Sequence, residues 1–140
     1  MGGITISWLG PETDDLKLQF SHNALPSELV IKKAQLPREH QAGCARELLL
    51  AAVGECITEW ILLSLRHANI PLQKLISHAH LKQGKSTRAI EAITLTIEVT
   101  VTDRYRNRAE KIIQSIIRRG CLLTRSIAKG IPVSYDLQFQ

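Results

Sequence analysis

Cys56 and Cys121 stand 65 positions apart, each in or at the start of an apolar helical stretch. If folding brings them within disulfide distance, a thiolate at one can attack a peroxide oxygen, become a sulfenic acid and be captured by the other. That chemistry needs a thiol of lowered pKa or a partner that activates the peroxide, because apolar surroundings alone raise a thiol pKa. Cys121 has help from its position: it follows Gly120 and falls at the first turn of its helix, where unpaired amides favour a thiolate. Cys56 sits in mid-helix with Glu55 and Glu59 as polar neighbours, which disfavour a thiolate, so it requires a cation such as Arg38, Arg125 or a residue from another chain. Buried cysteines are also commonly inert. Spacing alone therefore leaves a redox pair and a packing role both open.

Other chemistry is less well supplied. His78 and His80 flank Ala79 and share one strand face, but two ligands do not complete a zinc site, and Cys44 or His40 would have to join them. No metal is expected. The chain contains no GxGxxG, Walker loop, HExxH or nucleophile elbow, so no nucleotide or nicotinamide cofactor is expected either. Three cysteines, Cys44, Cys56 and Cys121, form neither a CxxC pair nor the dense framework of a small secreted domain. Met1 leads into a short strand-like stretch rather than a charged head and apolar segment, and the expected location is the cytoplasm. The formal net charge of +5 is uneven: from Arg104 to Lys129, six arginines and two lysines stand against Glu110, a local balance of +7. Such a stretch could attract nucleic acid or an anionic ligand. Without interleaved aromatics or a known motif, it reads as a solvated surface and nucleic acid is not the expected partner.

The elements that must position these groups are organised around Ala45 to Arg66, ARELLLAAVGECITEWILLSLR, a helix apolar on most sides. A helix of this kind must be covered by strands or a partner chain, and its acidic interruptions argue against a membrane span. Ahead of it, residues 4–9, 16–20 and 28–32 read as strands of a small antiparallel meander, the first two joined by a turn holding Gly10, Pro11, Glu12, Asp14 and Asp15. The stretch 33–43, with Pro37, Arg38 and Gly43, reads as a loop that could supply a substrate contact through Arg38. After the helix come strands at 75–82 and 92–102; the second alternates Ile93, Leu95, Ile97, Val99 and Val101 with threonines and Glu98. Asn107 with Glu110 predicts a capped helix start, Ala109, Ile112, Ile113, Ile116 and Ile117 give it an apolar face, and Gly120 ends it. A short helix from Cys121 and a strand alternating Val133, Tyr135, Leu137 and Phe139 close the chain. At 140 residues and 44% apolar content this is one α/β (α+β) domain with a core of its own, 1–140.

The run ELLLAAVGEC, residues 47–56, followed by CLLTRSI, residues 121–127, resembles the OsmC/Ohr superfamily over nearly the full domain. The family's Pro-x-Glu-Leu helix start is represented here by Ala45, Arg46, Glu47 and Leu48, so the proline is replaced and the glutamate and leucine remain. The resemblance implies antiparallel sheets wrapped around a long central buried helix, in an intertwined homodimer with redox sites near the subunit interface. It implies reduction of organic hydroperoxides, a small-molecule substrate class, with Cys56 as the attacking thiol, Cys121 as the resolving thiol and a dithiol or thiol-protein reductant restoring the pair. It also gives Glu47 the place of the activating carboxylate, and Arg38 is the nearest replacement for the early-loop arginine, since residues 1–37 contain none. Two other readings follow from the departures and the charge: an OsmC-like dimer without peroxidase activity that binds a small apolar or anionic ligand, and a basic nucleic-acid-binding module.

Overall fold

The computed structural model describes residues 3–22, 24–32, 43–85 and 89–140. It forms two compact units, Met1–Glu47 and Leu48–Gln140. In the first, β1 (Ile4–Trp8), β2 (Leu16–Phe20) and β3 (Glu28–Ile31) make the expected antiparallel meander, with Trp8 opposite Leu16 and Leu16 opposite Ile31. The turn between β1 and β2 uses the left-handed region at Gly10 (φ 105°) and Asp14 (φ 55°), conformations open to glycine and tolerated by aspartate. Trp8 Nε1 donates to Asp14 Oδ1 at 3.1 Å and so pins that turn.

Helix α1 (Gly43–His67) carries Val53, Ile57, Ile61 and Leu65, which recur every four residues and are all fully buried. Each such side chain contributes about 1.5–3 kcal/mol on leaving water. They share one core cluster with Ile93, Leu95, Ile97 and Val99. Thr58 fixes the depth of the contact, its Oγ1 lying 2.6 Å from the Gly54 carbonyl oxygen and 2.7 Å from Ser77 Oγ. The remainder of the helix departs from the expectation of burial on most sides. Leu48, Trp60 and Leu63 are 38, 53 and 49% exposed, and Glu55 and Glu59 point outward. One sheet can cover only one side of a helix, so within one chain a stripe is buried. Among the described residues α1 is the helix long and apolar enough to cross a bilayer by length and composition, but its buried stripe packs as the core helix of a folded unit.

The second sheet has the order β4-β5-β6, formed by β4 (Lys74–Gln83), β5 (Ile90–Thr100) and β6 (Val133–Phe139). Odd-numbered residues of β4 from Leu75 to Leu81 and of β6 are half-buried and the even-numbered ones largely exposed, while Ile93, Leu95, Ile97 and Val99 of β5 are fully buried, as the alternation predicts. The expectation of purely antiparallel sheets needs correction here. β4 and β5 are antiparallel, but β6 runs parallel to β5, pairing Ile93 with Val133 and Val99 with Phe139. Two helices lie between β5 and β6 in sequence, and a helical crossover is the connection that returns a chain to a parallel position.

The first of these, α2 (Asp103–Arg119), starts four residues before the Asn107 start predicted from the capping pattern, with Thr102 as its N-cap. Tyr105 packs against the core cluster, so the early turn gains burial that a start at Asn107 would forgo, and Asp103 sits at the positive end of the helix. Ala109, Ile113 and Ile116 are buried. Gly120 ends α2 at φ 70°, its N–H bonded to the Ile116 carbonyl at 2.8 Å. Cys121 then caps α3 (Leu122–Ile127). Ile61→Ala should lower the unfolding free energy by about 2–5 kcal/mol in chemical denaturation, whereas Lys111→Ala, on the exposed side of α2, should change it by less than about 0.5 kcal/mol.

Candidate functional site

The fold brings together the two thiols that the sequence holds 65 positions apart. Cys56 is half-buried, one residue before the buried Ile57 of α1, and Cys121 is 2% exposed at the N-cap of α3. The two thiols lie close enough for each to alter the ionisation of the other, and both are free.

The bonding around Cys121 is closely specified. Its amide donates to Thr124 Oγ1 at 2.8 Å, while the Thr124 amide reaches Cys121 Sγ at 3.5 Å, a reciprocal cap in which sulfur takes the place of an oxygen acceptor. Thr124 Oγ1 also lies 3.4 Å from Cys121 Sγ and 3.3 Å from the Cys121 carbonyl oxygen. Thr124 is 3% exposed. Gly120 is required beside this cap: at φ 70°, a Cβ there would stand 2.8 Å from Thr124 Oγ1 and 3.0 Å from Arg125 Cγ. Behind Thr124, the half-buried Tyr135 of β6 lies close enough for the threonine side chain and both thiols to act on the ionisation of its phenol.

These contacts pull the two thiols apart in acidity. Burial pushes Cys56 up, the hydrogen bond with Cys121 and the charges of Cys121 and Glu55 push the same way, and the Leu123 amide opposes them without prevailing; the result is about 11. Burial also opposes ionisation of Cys121, but it is outweighed by hydrogen bonds from Cys56, from the Thr124 hydroxyl and amide and from the Leu123 amide, so Cys121 lies below the ordinary thiol value of 9.0. The arrangement can hold one proton and one negative charge between two sulfurs, with the charge on Cys121. Burial likewise raises Tyr135, with the thiol charges adding to it against the Thr124 bond.

Of the other residues singled out from sequence, Arg38 and His40 lie outside the described residues, as does most of the 33–43 loop. Glu47 is exposed on α1. On one continuous helix, nine residues place it about 13 Å along the axis and about 180° round from Cys56. Among the described residues, the groups acting on the Cys56 thiol include no cation; Arg125 is exposed on α3. Cys44 is a free, half-buried thiol in the first turn of α1. His78 and His80 share the exposed side of β4, with His78 Nε2 3.5 Å from Glu98 Oε2, and no cluster of three metal-ligating side chains forms among the described residues. The basic stretch lies on the outer side of α2 and α3, where Arg108 donates to the Ala68 carbonyl at 2.8 Å. Thr124 and Tyr135 were not singled out from the sequence. The signal for them was present in Cys-x-x-Thr, an N-cap with its third helical residue, and in the alternation that turns Tyr135 inward.

The OsmC-like protein family model matches residues 39–136, and the chain belongs to that family. Its fold is that of an OsmC-like protein of unknown function from Vibrio cholerae, with a TM-score of 0.75, 12% identity and 98% of each chain covered. It is also similar to the organic hydroperoxide resistance protein OhrB of Bacillus subtilis, with a TM-score of 0.60, 14% identity, and coverage of 100% of this chain and 98% of that one. An organic hydroperoxide resistance protein from Elizabethkingia anophelis gives a TM-score of 0.65 and 14% identity, covering 100% of this chain and 96% of that one. No curated protein matches the sequence.

The acidity of the pair has a signature in stability. A thiol whose pKa is raised by folding contributes stability below its unfolded value and loses it as pH rises through the folded value. Cys56 should therefore make the protein less stable between pH 9 and about 11. Cys121, depressed by folding, should contribute above its unfolded value and lose that contribution as pH falls through its own folded value. Denaturation midpoints measured across this range should fall more steeply above pH 9 for the wild type than for Cys56→Ser.

Proposed function

We propose that the protein reduces organic hydroperoxides through a two-cysteine cycle in which Cys56 attacks and Cys121 resolves. The observation that carries this reading is the close approach of two free thiols from distant parts of the sequence, and the names of two similar structures, both organic hydroperoxide resistance proteins, support it. The Cys56 thiolate bonds to one peroxide oxygen, the O–O bond breaks, and the alkoxide leaves and takes a proton to become an alcohol. Cys121 then attacks the Cys56 sulfenic acid, forming the S–S bond and releasing hydroxide, which leaves as water. A dithiol or thiol-protein reductant returns the two electrons, and a reducing compartment such as the cytoplasm keeps the pair ready between cycles.

In this reading the working form is a homodimer. Its support is the outward apolar part of α1: Trp60 and Leu63 line a groove of about 570 Å³ with Ser64, His67, Ala68 and Ile112, an apolar surface of the kind proteins usually cover. A second copy also gives Glu47 and Arg38 a route to the thiols, as the orienting carboxylate and guanidinium, that its own helix denies Glu47 within one chain. The basic stretch remains a solvated surface.

Reduced protein given one equivalent of cumene hydroperoxide should acquire a Cys56–Cys121 disulfide by intact mass and peptide mapping. Cys56→Ser should lower peroxide turnover by roughly a thousandfold. Reduced protein left inert by several alkyl hydroperoxides would exclude this activity and favour a ligand-binding dimer without peroxidase chemistry. Light scattering should give twice the chain mass, and Trp60→Glu should shift it toward the single chain; a monomeric wild type sinks the dimer.

A further inference from the structure

The basic charge between Arg104 and Lys129 is not spread evenly over α2 and α3. Arg118 and Arg119 lie in the last turn of α2 and Arg125 in the last turn of α3, and all three line one cavity of about 140 Å³ with Gly120, Thr124 and Tyr135. Helix dipoles favour cations at both of these helix ends, which accounts for each arginine singly. It does not account for their convergence. That depends on Gly120, the residue that ends α2: a Cβ there would stand 3.0 Å from Arg125 Cγ, so the bare backbone is what lets the Arg125 stem lie back against the end of α2.

Among the described residues, none of the three arginines forms an ion pair with a carboxylate, and the cavity lining holds no acid. The neighbouring groove on the outer side of α2, which Arg118 also borders, differs in carrying Glu110. The walls of so small a cavity are closer together than the ~10 Å screening length of 0.1 M salt, so the three charges repel one another and attract an anion. Each guanidinium presents a planar fork of donors that matches the oxygens of a carboxylate or phosphate. We propose that this cavity is a binding site for a small oxyanionic group, a carboxylate or a phosphate, held by Arg118, Arg119 and Arg125. It uses neither cysteine, so it stands apart from the peroxide chemistry.

The cavity is smaller than the roughly 300–1,000 Å³ of pockets that enclose a whole drug-sized ligand, so it takes a head group and not an entire molecule. A free inorganic ion and the acid group of a larger organic molecule are its two sources. Ile117, Ala128 and Val133 give the lining an apolar part along which an alkyl stem can lie. Backbone amide NMR of the reduced, full-length protein at low salt separates these cases, with inorganic phosphate, acetate and hexanoate as probes and hexanol as the uncharged control. At least one of the three anions should shift the amides of Gly120, Thr124 and Arg125 together and saturably. Hexanoate bound more tightly than acetate and phosphate assigns the site to an organic acid; any other order assigns it to the free ion.

Arg119→Gln and Arg125→Gln should each weaken that binding by about tenfold, the loss of one charge-assisted hydrogen bond. Arg125→Lys, which keeps the charge and loses the fork, should fall between wild type and Arg125→Gln. Arg104→Gln, on α2 but outside the cavity lining, should leave the affinity within about twofold of wild type. All of these side chains are exposed, so the variants should fold. Shifts spread over every arginine of α2 and equal in wild type and Arg119→Gln, the behaviour of a solvated basic surface, would overturn the site. So would hexanol moving the same amides as strongly as hexanoate, or the absence of a saturable shift with all three anions.

Discussion

The register of α1 against its sheet is the constraint from which the rest follows. Val53, Ile57, Ile61 and Leu65 fill the space over the fully buried residues of β5, and sliding or rotating the helix would expose several of these side chains at once. Cys56 precedes Ile57 and therefore has no freedom of its own: the core fixes which way it points. The same core anchors Ala109, Ile113 and Ile116 of α2, and α2 ends at a glycine whose backbone conformation aims the next residue, Cys121, at α1. Two sulfurs far apart in sequence meet because each is one step from a residue that burial holds in place.

That meeting produces an unequal pair. Both thiols lose solvent, which by itself makes both harder to ionise. Only Cys121 is compensated, because it occupies an N-cap, where backbone amides are unpaired, and because Thr124 brings a hydroxyl as well as an amide to the same sulfur. Cys56, in mid-helix, has its own backbone amide committed to the helix and receives help chiefly from the Leu123 amide. The inequality is thus a consequence of secondary structure: a helix interior offers a side chain no spare donors, and a helix start offers several.

Much of this was legible in the chain. Alternation in Ala92–Thr102 and Val133–Phe139 placed the inward residues of β5 and β6, and the contrast between a mid-helix Cys56 and a helix-start Cys121 anticipated which thiol ionises more readily. Four features were hidden for physical reasons. The parallel direction of β6 is a property of the crossover, whereas alternation is the same for strands of either direction. The Asn107–Glu110 pattern satisfied a local capping rule, but Tyr105 gained a place on the core and the helix began earlier. The exposure of Trp60 and Leu63 depends on what one sheet can cover, and composition records only that a residue is apolar. Thr124 was overlooked because a threonine becomes informative only when its neighbour three residues back is a sulfur in need of a donor.

Every redox consequence of this fold depends on the two thiols behaving as one unit in the reduced protein. Site-resolved NMR of the cysteine β-carbons, followed against pH with ¹³C-labelled cysteine, observes each sulfur separately. The Cys121 β-carbon should shift first, below the usual thiol range, Cys56 should follow near pH 11, and each signal should respond when the other ionises. Two independent transitions at the ordinary thiol value would contradict that coupling.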